Sequence, residues 1–136
     1  MASEPVAVTL TLPWPPTVNS YYRAVAGHGV LISSEGRKYR AAVSTAVLLS
    51  ETIGERMAVA YSRRRPALAG RLAVEIVACP PDRRKRDLDN LLKSLLDAVA
   101  KAGVYYDDGQ IDRLLIERGP VQPGGAIRME IREMPA

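Results

Sequence analysis

PPDRRKRDLDNLLKSLLDAVAK, residues Pro80 to Lys101, sets the terms for the rest of this chain. Two prolines halt whatever precedes them, and the consecutive basic residues Arg83, Arg84, Lys85 and Arg86 then run into Asp87 and Asp89. Leu88, Leu91, Leu92, Leu95, Leu96, Val99 and Ala102 recur at helical spacing, and Gly103 stands in the C′ position that ends a helix. Positive charge adjoining paired carboxylates suits a site that draws in a polyanion and holds a cation against it.

Helix geometry limits how those acids can act together. Residues two apart lie about 200° from each other around a helix, so Asp87 and Asp89 converge only if Asp87 precedes it. Asp87 is then the N-cap or the residue just before it, and Asp89 lies in the first turn. Lys93, four residues after Asp89, points to the same side. Taken alone, such a pair is more simply a helix cap favoured by the helix dipole. Against that, Asp107 and Asp108 follow the helix in a DDGQID turn. They return to the helix start, roughly 22 Å away, only if the chain folds back. Three converging carboxylates would raise at least one pKa unless a cation were bound, and an all-oxygen set favours Mg²⁺ or Mn²⁺ over zinc. With a metal bridging a phosphate and activating water, Lys93 would orient that water or offset developing charge, and Arg83 to Arg86 would hold flanking phosphates.

Upstream of this segment, Arg71 to Cys79 alternates as a strand; downstream, Ile111 to Arg118 and Ala126 to Arg132 read as two more. At the other end Val6 to Leu12 is an opening strand, stopped by Pro13, Pro15 and Pro16. The stretch LPWPPTVNSYYR reads as a rigid, extended loop in which Asn19, Tyr21, Tyr22 and Arg23 offer hydrogen-bonding, stacking and charged groups to nucleic acid. The alternative is that Trp14 and the tyrosines cover a sheet edge. Gly27 to Gly29 marks a turn, and His28 is a loop histidine. Ser33 or Ser34 caps a second helix with Tyr39, Ala42, Val43, Ala46, Leu49 and Ile53 at apolar positions and Gly54 at its end. Arg37, beside Glu35, Lys38 and Arg40, belongs to its solvent face or to a DNA-facing rim. Glu55 to Gly70 reads mostly as a mobile basic connector. The expected fold is α/β (α+β): a mixed sheet with two main helices in the order β, loop, α, linker, β, α, β, β.

At 136 residues the chain is expected to form one domain that folds without crosslinks, since Cys79 is its only cysteine. With 47% apolar and 25% charged residues it falls outside the disordered class. The first residues lack a signal-peptide pattern and no run reaches membrane-spanning length, so a cytoplasmic location and no membrane partner are expected. Net charge is only +4, but it is concentrated at Arg63 to Arg65 and Arg83 to Arg86, runs that are either solvated surface or a contact for nucleic acid.

Four blocks in this order, LPWPPTVNSYYR, SSEGRKYR, PDRRKRDLDNLLK and KAGVYYDDGQI, make nearly the whole chain resemble the RusA family of Holliday junction resolvases. The resemblance implies a small α/β homodimer that binds four-way branched DNA and uses Mg²⁺ to nick two strands symmetrically. By position it implies Asp87, Asp89 and Asp108 as catalytic metal ligands and Lys93 as the essential lysine. Asn19, Tyr22, Arg23, Arg37 and the basic run Arg83, Arg84, Lys85 and Arg86 are the DNA-binding candidates. Activity on other branched DNA, or junction binding without cleavage, are the competing readings. Two departures stand out: the Glu55 to Gly70 connector is longer than the family leads one to expect, and the chain has no Phe, so any wedging at a crossover falls to Tyr or Trp.

Overall fold

Four strands form one sheet in the order β1 (Ala7–Leu12), β6 (Ala126–Glu133), β4 (Leu72–Cys79) and β5 (Ile111–Arg118). The computed structural model describes residues 7–135; Val6, expected to open β1, lies outside them. β6 runs antiparallel to both neighbours, whereas β4 and β5 are parallel. A parallel pair needs a crossover, and the helix α4 (Asp89–Lys101) supplies it. The expected mixed α/β architecture is therefore present.

Alternation places the core. Val8, Leu10 and Leu12 of β1, Val74, Ile76 and Ala78 of β4, and Ile127, Met129 and Ile131 of β6 are buried on one face. Leu91, Leu95 and Val99 of α4 and Tyr39, Val43 and Val47 of α2 (Ser34–Leu48) complete the same cluster. The other sheet face carries Thr9, Thr11 and Arg128 in solvent and surface ion pairs from Arg132 to Glu130 (3.3 Å) and Glu75 (3.9 Å).

Three segments depart from the sequence expectation. The proline-rich stretch is extended only as far as Thr17; it then forms a helical turn, α1 (Val18–Tyr21), and enters a hairpin of β2 (Tyr22–Val25) and β3 (Gly29–Ile32). Buried Ser94 of α4 anchors it by donating to Pro16 O at 2.5 Å, and Tyr39 donates to Pro13 O at 2.8 Å. The second helix stops at Leu48 rather than near Gly54, leaving Leu49 exposed. Ser50 and Thr52 are drawn instead to the outer edge of β1: Thr52 Oγ1 donates to Thr9 O at 2.9 Å and accepts from Thr9 N at 3.1 Å. Satisfying those edge groups competes with another helical turn. Finally, Glu55 to Gly70 is a connector only in its second half. Ile53 is the N-cap residue and Gly54 begins α3 (Gly54–Ser62), which buries Met57 and Ala60 one turn apart. Gly54 thus starts a helix instead of ending one. No helix among the described residues is long and apolar enough to cross a membrane.

Candidate functional site

α4 opens without a side-chain cap. Leu88 stands at the N-cap position in helical conformation, and Asp87 contributes only its backbone oxygen, accepting from Asn90 N at 3.3 Å. Capping by Asp87, the simpler expectation from sequence, is not what its carboxylate does. Asp87, Asp89 and Lys93 are exposed, and none of them makes a side-chain hydrogen bond or ion pair among the described residues. Asp87 borders a cleft of about 240 Å³ with Trp14, Thr17, Lys85, Arg86, Asn90 and Leu91.

The basic loop before it is organised by one acid. Asp82 accepts from Arg86 Nη1 at 2.6 Å and from Arg84 N at 2.9 Å. Those bonds, with the Arg86 bond dominant, hold the Asp82 carboxyl down at about 2. The Arg86 guanidinium also lies 5.8 Å from the centre of the Trp14 ring, and Arg86 O accepts from Arg118 Nη2 at 2.8 Å. Gly125, at φ +74°, lets Trp14 sit this close: a Cβ there would lie 2.8 Å from the Trp14 Cβ. Arg86 is therefore committed to shaping the loop that leads into Asp87. Arg83, Arg84 and Lys85 remain exposed and able to meet phosphates.

Asp108 lies elsewhere. Because β4 and β5 are parallel, α4 carries the chain back, and the 3-10 turn Asp108–Gln110 forms at the opposite end of the strands from Asp87. Tyr105 Oη donates to Leu96 O at 2.8 Å, seven residues along α4 from Asp89 and so about 10 Å down its axis. Burial, then the charges of Asp108 and Asp97, push the Tyr105 phenol up. The turn is firmly held: buried Gln110 accepts from Tyr106 N at 2.5 Å and donates to Leu68 O at 3.1 Å and Gly70 O at 2.9 Å. Asp107 accepts from Gly109 N at 2.6 Å in a capping box, so its carboxylate is occupied by its own turn while that of Asp108 is exposed. Among the described residues no three His, Cys, Asp or Glu side chains lie close enough to hold a metal. Within one chain the convergence expected of Asp87, Asp89 and Asp108 does not occur.

The chain's seven aspartates divide cleanly. Asp82 pairs with Arg86, Asp97 with Arg40 at 2.8 Å, Asp112 with Arg71, and Asp107 caps its turn. The hydrogen bond from Arg71 holds the Asp112 carboxyl below its ordinary range. Asp87, Asp89 and Asp108 are the remainder. Hard oxygen donors left exposed and unpaired are chemically suited to a hydrated Mg²⁺ or Mn²⁺.

The flanking DNA-contact candidates fare unevenly. Asn19 on α1 and Arg23 on β2 are exposed. Tyr22 packs edge-on against Tyr21, ring centres 4.8 Å apart, and Arg37 donates to Ile32 O at 3.2 Å. Tyr21 itself is in the core, hydrogen-bonded to Asp97 and accepting from Arg40 Nε at 2.7 Å, and burial followed by the Asp97 bond pushes its phenol up. Of the two readings the sequence offered for it, DNA contact or packing, packing holds for Tyr21; sequence reading missed Asn90, Arg118 and Ser94. Asn90 was visible in the D-L-D-N run, whereas the roles of Arg118 and Ser94 depend on tertiary contacts.

The family model for Endodeoxyribonuclease RusA matches residues 13–132. The Crossover junction endodeoxyribonuclease RusA of Enterobacteria phage 82 is 38% identical over 125 residues, 92% of this chain and 93% of that protein. Its namesake from Shigella sonnei strain Ss046 is 38% identical over 126 residues, 93% of this chain and 94% of that one. A third, from Enterobacteria phage HK97, is 37% identical over 123 residues, covering 90% and 92%.

Proposed function

Given that the chain belongs to the RusA family of endodeoxyribonucleases, we propose that it resolves four-way DNA junctions in recombination and repair in the cytoplasm, by paired Mg²⁺-dependent nicks made by a homodimer. The observation that supports this most directly is the division of the aspartates. The three carboxylates left without a structural partner are Asp87, Asp89 and Asp108, the positions of the family's acidic set.

Their separation along α4 argues for two chains per site. β5 is an unpaired sheet edge, with Leu114 (41%) and Leu115 (46%) exposed at its centre. Antiparallel pairing of two β5 edges sets the start of one strand beside the end of the other. Arg118, at that end, is bonded to Arg86 O beside Asp87, and Asp108 leads directly into the strand's start. A two-fold axis near Leu114 and Leu115 thus supports bringing Asp108 of a second copy to Asp87 and Asp89, twice per dimer.

In such a site Asp87, Asp89 and the second copy's Asp108 would hold Mg²⁺. Bound there, the ion lowers the pKa of water and polarises the scissile phosphate. Hydrolysis forms one bond from a water oxygen to phosphorus and breaks one P–O ester bond, the departing sugar oxygen gaining a proton. Lys93, on the same helix side as Asp89, offsets negative charge gathering on the phosphate. Arg83, Arg84 and Lys85 hold neighbouring phosphates, so binding weakens with salt. Two sites related by a two-fold axis match a substrate of the same symmetry.

Incubation with a labelled four-way junction or matched linear duplex, in Mg²⁺ or EDTA, tests the activity. Nicking confined to the junction with Mg²⁺ is expected; binding without nicking in Mg²⁺ and Mn²⁺ sinks it. Asp89→Asn and Asp108→Asn should each reduce nicking at least about a hundredfold while retaining binding. Mixing the two inactive variants tests the shared site. Subunit exchange leaves one intact site in each mixed dimer and restores about a quarter of wild-type sites. If the mixture stays inactive although exchange is demonstrated, the site belongs to a single chain.

A further inference from the structure

The helix α3, which follows the segment sealing the β1 edge, forms one wall of a groove of about 610 Å³, and the end of α4 with its following turn forms the other. Tyr61 (88% exposed) and Tyr106 (62% exposed) stand at its rims, Arg64 and Arg65 at its mouth, and Ala60 and Ala102 contribute to its lining. No acidic side chain lines it, and Arg63, Arg64 and Arg65 make no ion pair among the described residues. The groove is therefore a basic channel with aromatic faces at its edges.

Backbone geometry adds an independent observation. α3 ends in a Schellman motif: Arg65 N donates to Ala60 O at 3.0 Å and Arg64 N to Tyr61 O at 3.2 Å. That places Arg64 at C′ with φ +54°, the only non-glycine residue of positive φ among those described. Glycine is the favoured residue there, and an arginine holds the left-handed conformation at a cost in stability. A guanidinium kept in a strained position at the mouth of a basic groove points to a task other than folding.

We infer that this groove binds an unpaired stretch of DNA strand, with phosphates on Arg64 and Arg65 and a base stacked against Tyr61. Arginines track a phosphate backbone, and exposed aromatic rings accept any base face once it is unstacked. The groove adjoins the turn that carries Asp108, two residues beyond Tyr106, so a strand opened at a branch point reaches it from the cleavage site. This inference rests on the junction-nuclease reading for the source of the strand. It assigns a role to the basic segment that the acidic site leaves unexplained.

The probe is a fluorescein-labelled oligothymidine, followed by anisotropy at several salt concentrations with the intact protein. Wild type should bind it, and Tyr61→Ala should weaken binding at least about fivefold whereas Tyr61→Phe retains it. Arg64→Gly combined with Arg65→Ala should lower the slope of log affinity against log salt by about 1.4, the amount for two single-strand phosphates. Arg64→Gly alone guards against misfolding: it should raise the melting temperature while weakening oligothymidine binding. Absence of binding by wild type, or unchanged affinity in Tyr61→Ala and Arg64→Gly, overturns the groove. Loss of the nuclease reading shows differently, as wild type that fails to nick a four-way junction, so the two failures are separable.

Discussion

The loop before α4, Pro80 to Leu88, and the turn after it, Gly103 to Gln110, join the same helix to neighbouring parallel strands, yet they are held in opposite ways. The turn is pinned from within. Gln110 is buried and serves four backbone partners, Tyr106 N and Asp107 N of its own turn and Leu68 O and Gly70 O of another segment, and Tyr105 bonds to the helix itself. The loop is pinned from outside, by Asp82, Arg86, Trp14 and Arg118 near the surface. Asp108 thus stands on a rigid platform, and Asp87 on a segment whose shape depends on partly solvated contacts. A site assembled from both has one fixed jaw and one adjustable jaw, which suits closure on a bent or opened strand.

Gln110→Ala should show the largest effect on that contrast. Removing a buried side chain that satisfies Leu68 O, Gly70 O and Tyr106 N should destabilise the fold by about 2–4 kcal/mol, read by denaturant titration. A loss under about 0.5 kcal/mol would mean that the turn is not the rigid partner. Arg86→Ala should do the reverse. Its ion pair is solvent-screened, so stability should fall only slightly, while junction nicking drops about tenfold or more because Asp87 loses its placement. Equal losses in stability and nicking would erase the distinction between the two loops.

The smallest effect concerns acid. Asp82 has a folded-state value of about 2 against an ordinary 3.8, so its contribution is whole above pH 3.8 and is lost as pH falls through about 2. Trp14 fluorescence should report loosening of the loop across that interval before the rest of the chain unfolds. Asp82→Asn should abolish that early change; its persistence would assign it to another group.

The helix α4 and the strand β4 were legible in the sequence because their apolar positions follow one period without interruption. α3 was not: Gly54 is as good a stop as a start, and only Met57 and Ala60 marked a buried face. The early end of α2 was also hidden, because Ser50 and Thr52 serve an edge 41 or more residues away in sequence. The acids themselves stood out by type and spacing. What the sequence did not carry was the direction of β5. A helix that crosses between parallel strands necessarily delivers its two flanking loops to opposite ends, and the separation of Asp108 from Asp89 follows from that.

The bonds from Thr52 to Thr9 have a bearing on assembly. They occupy both backbone groups at the middle of β1 that face away from the sheet. With that edge occupied at Thr9 and the β5 edge bare, the four-stranded sheet offers β5 as its open edge among the described residues. Joining two bare edges uses up both, and growth stops at a pair. Any protein that pairs sheet edges needs such a terminator, because two open edges would let the same contact repeat into a fibre.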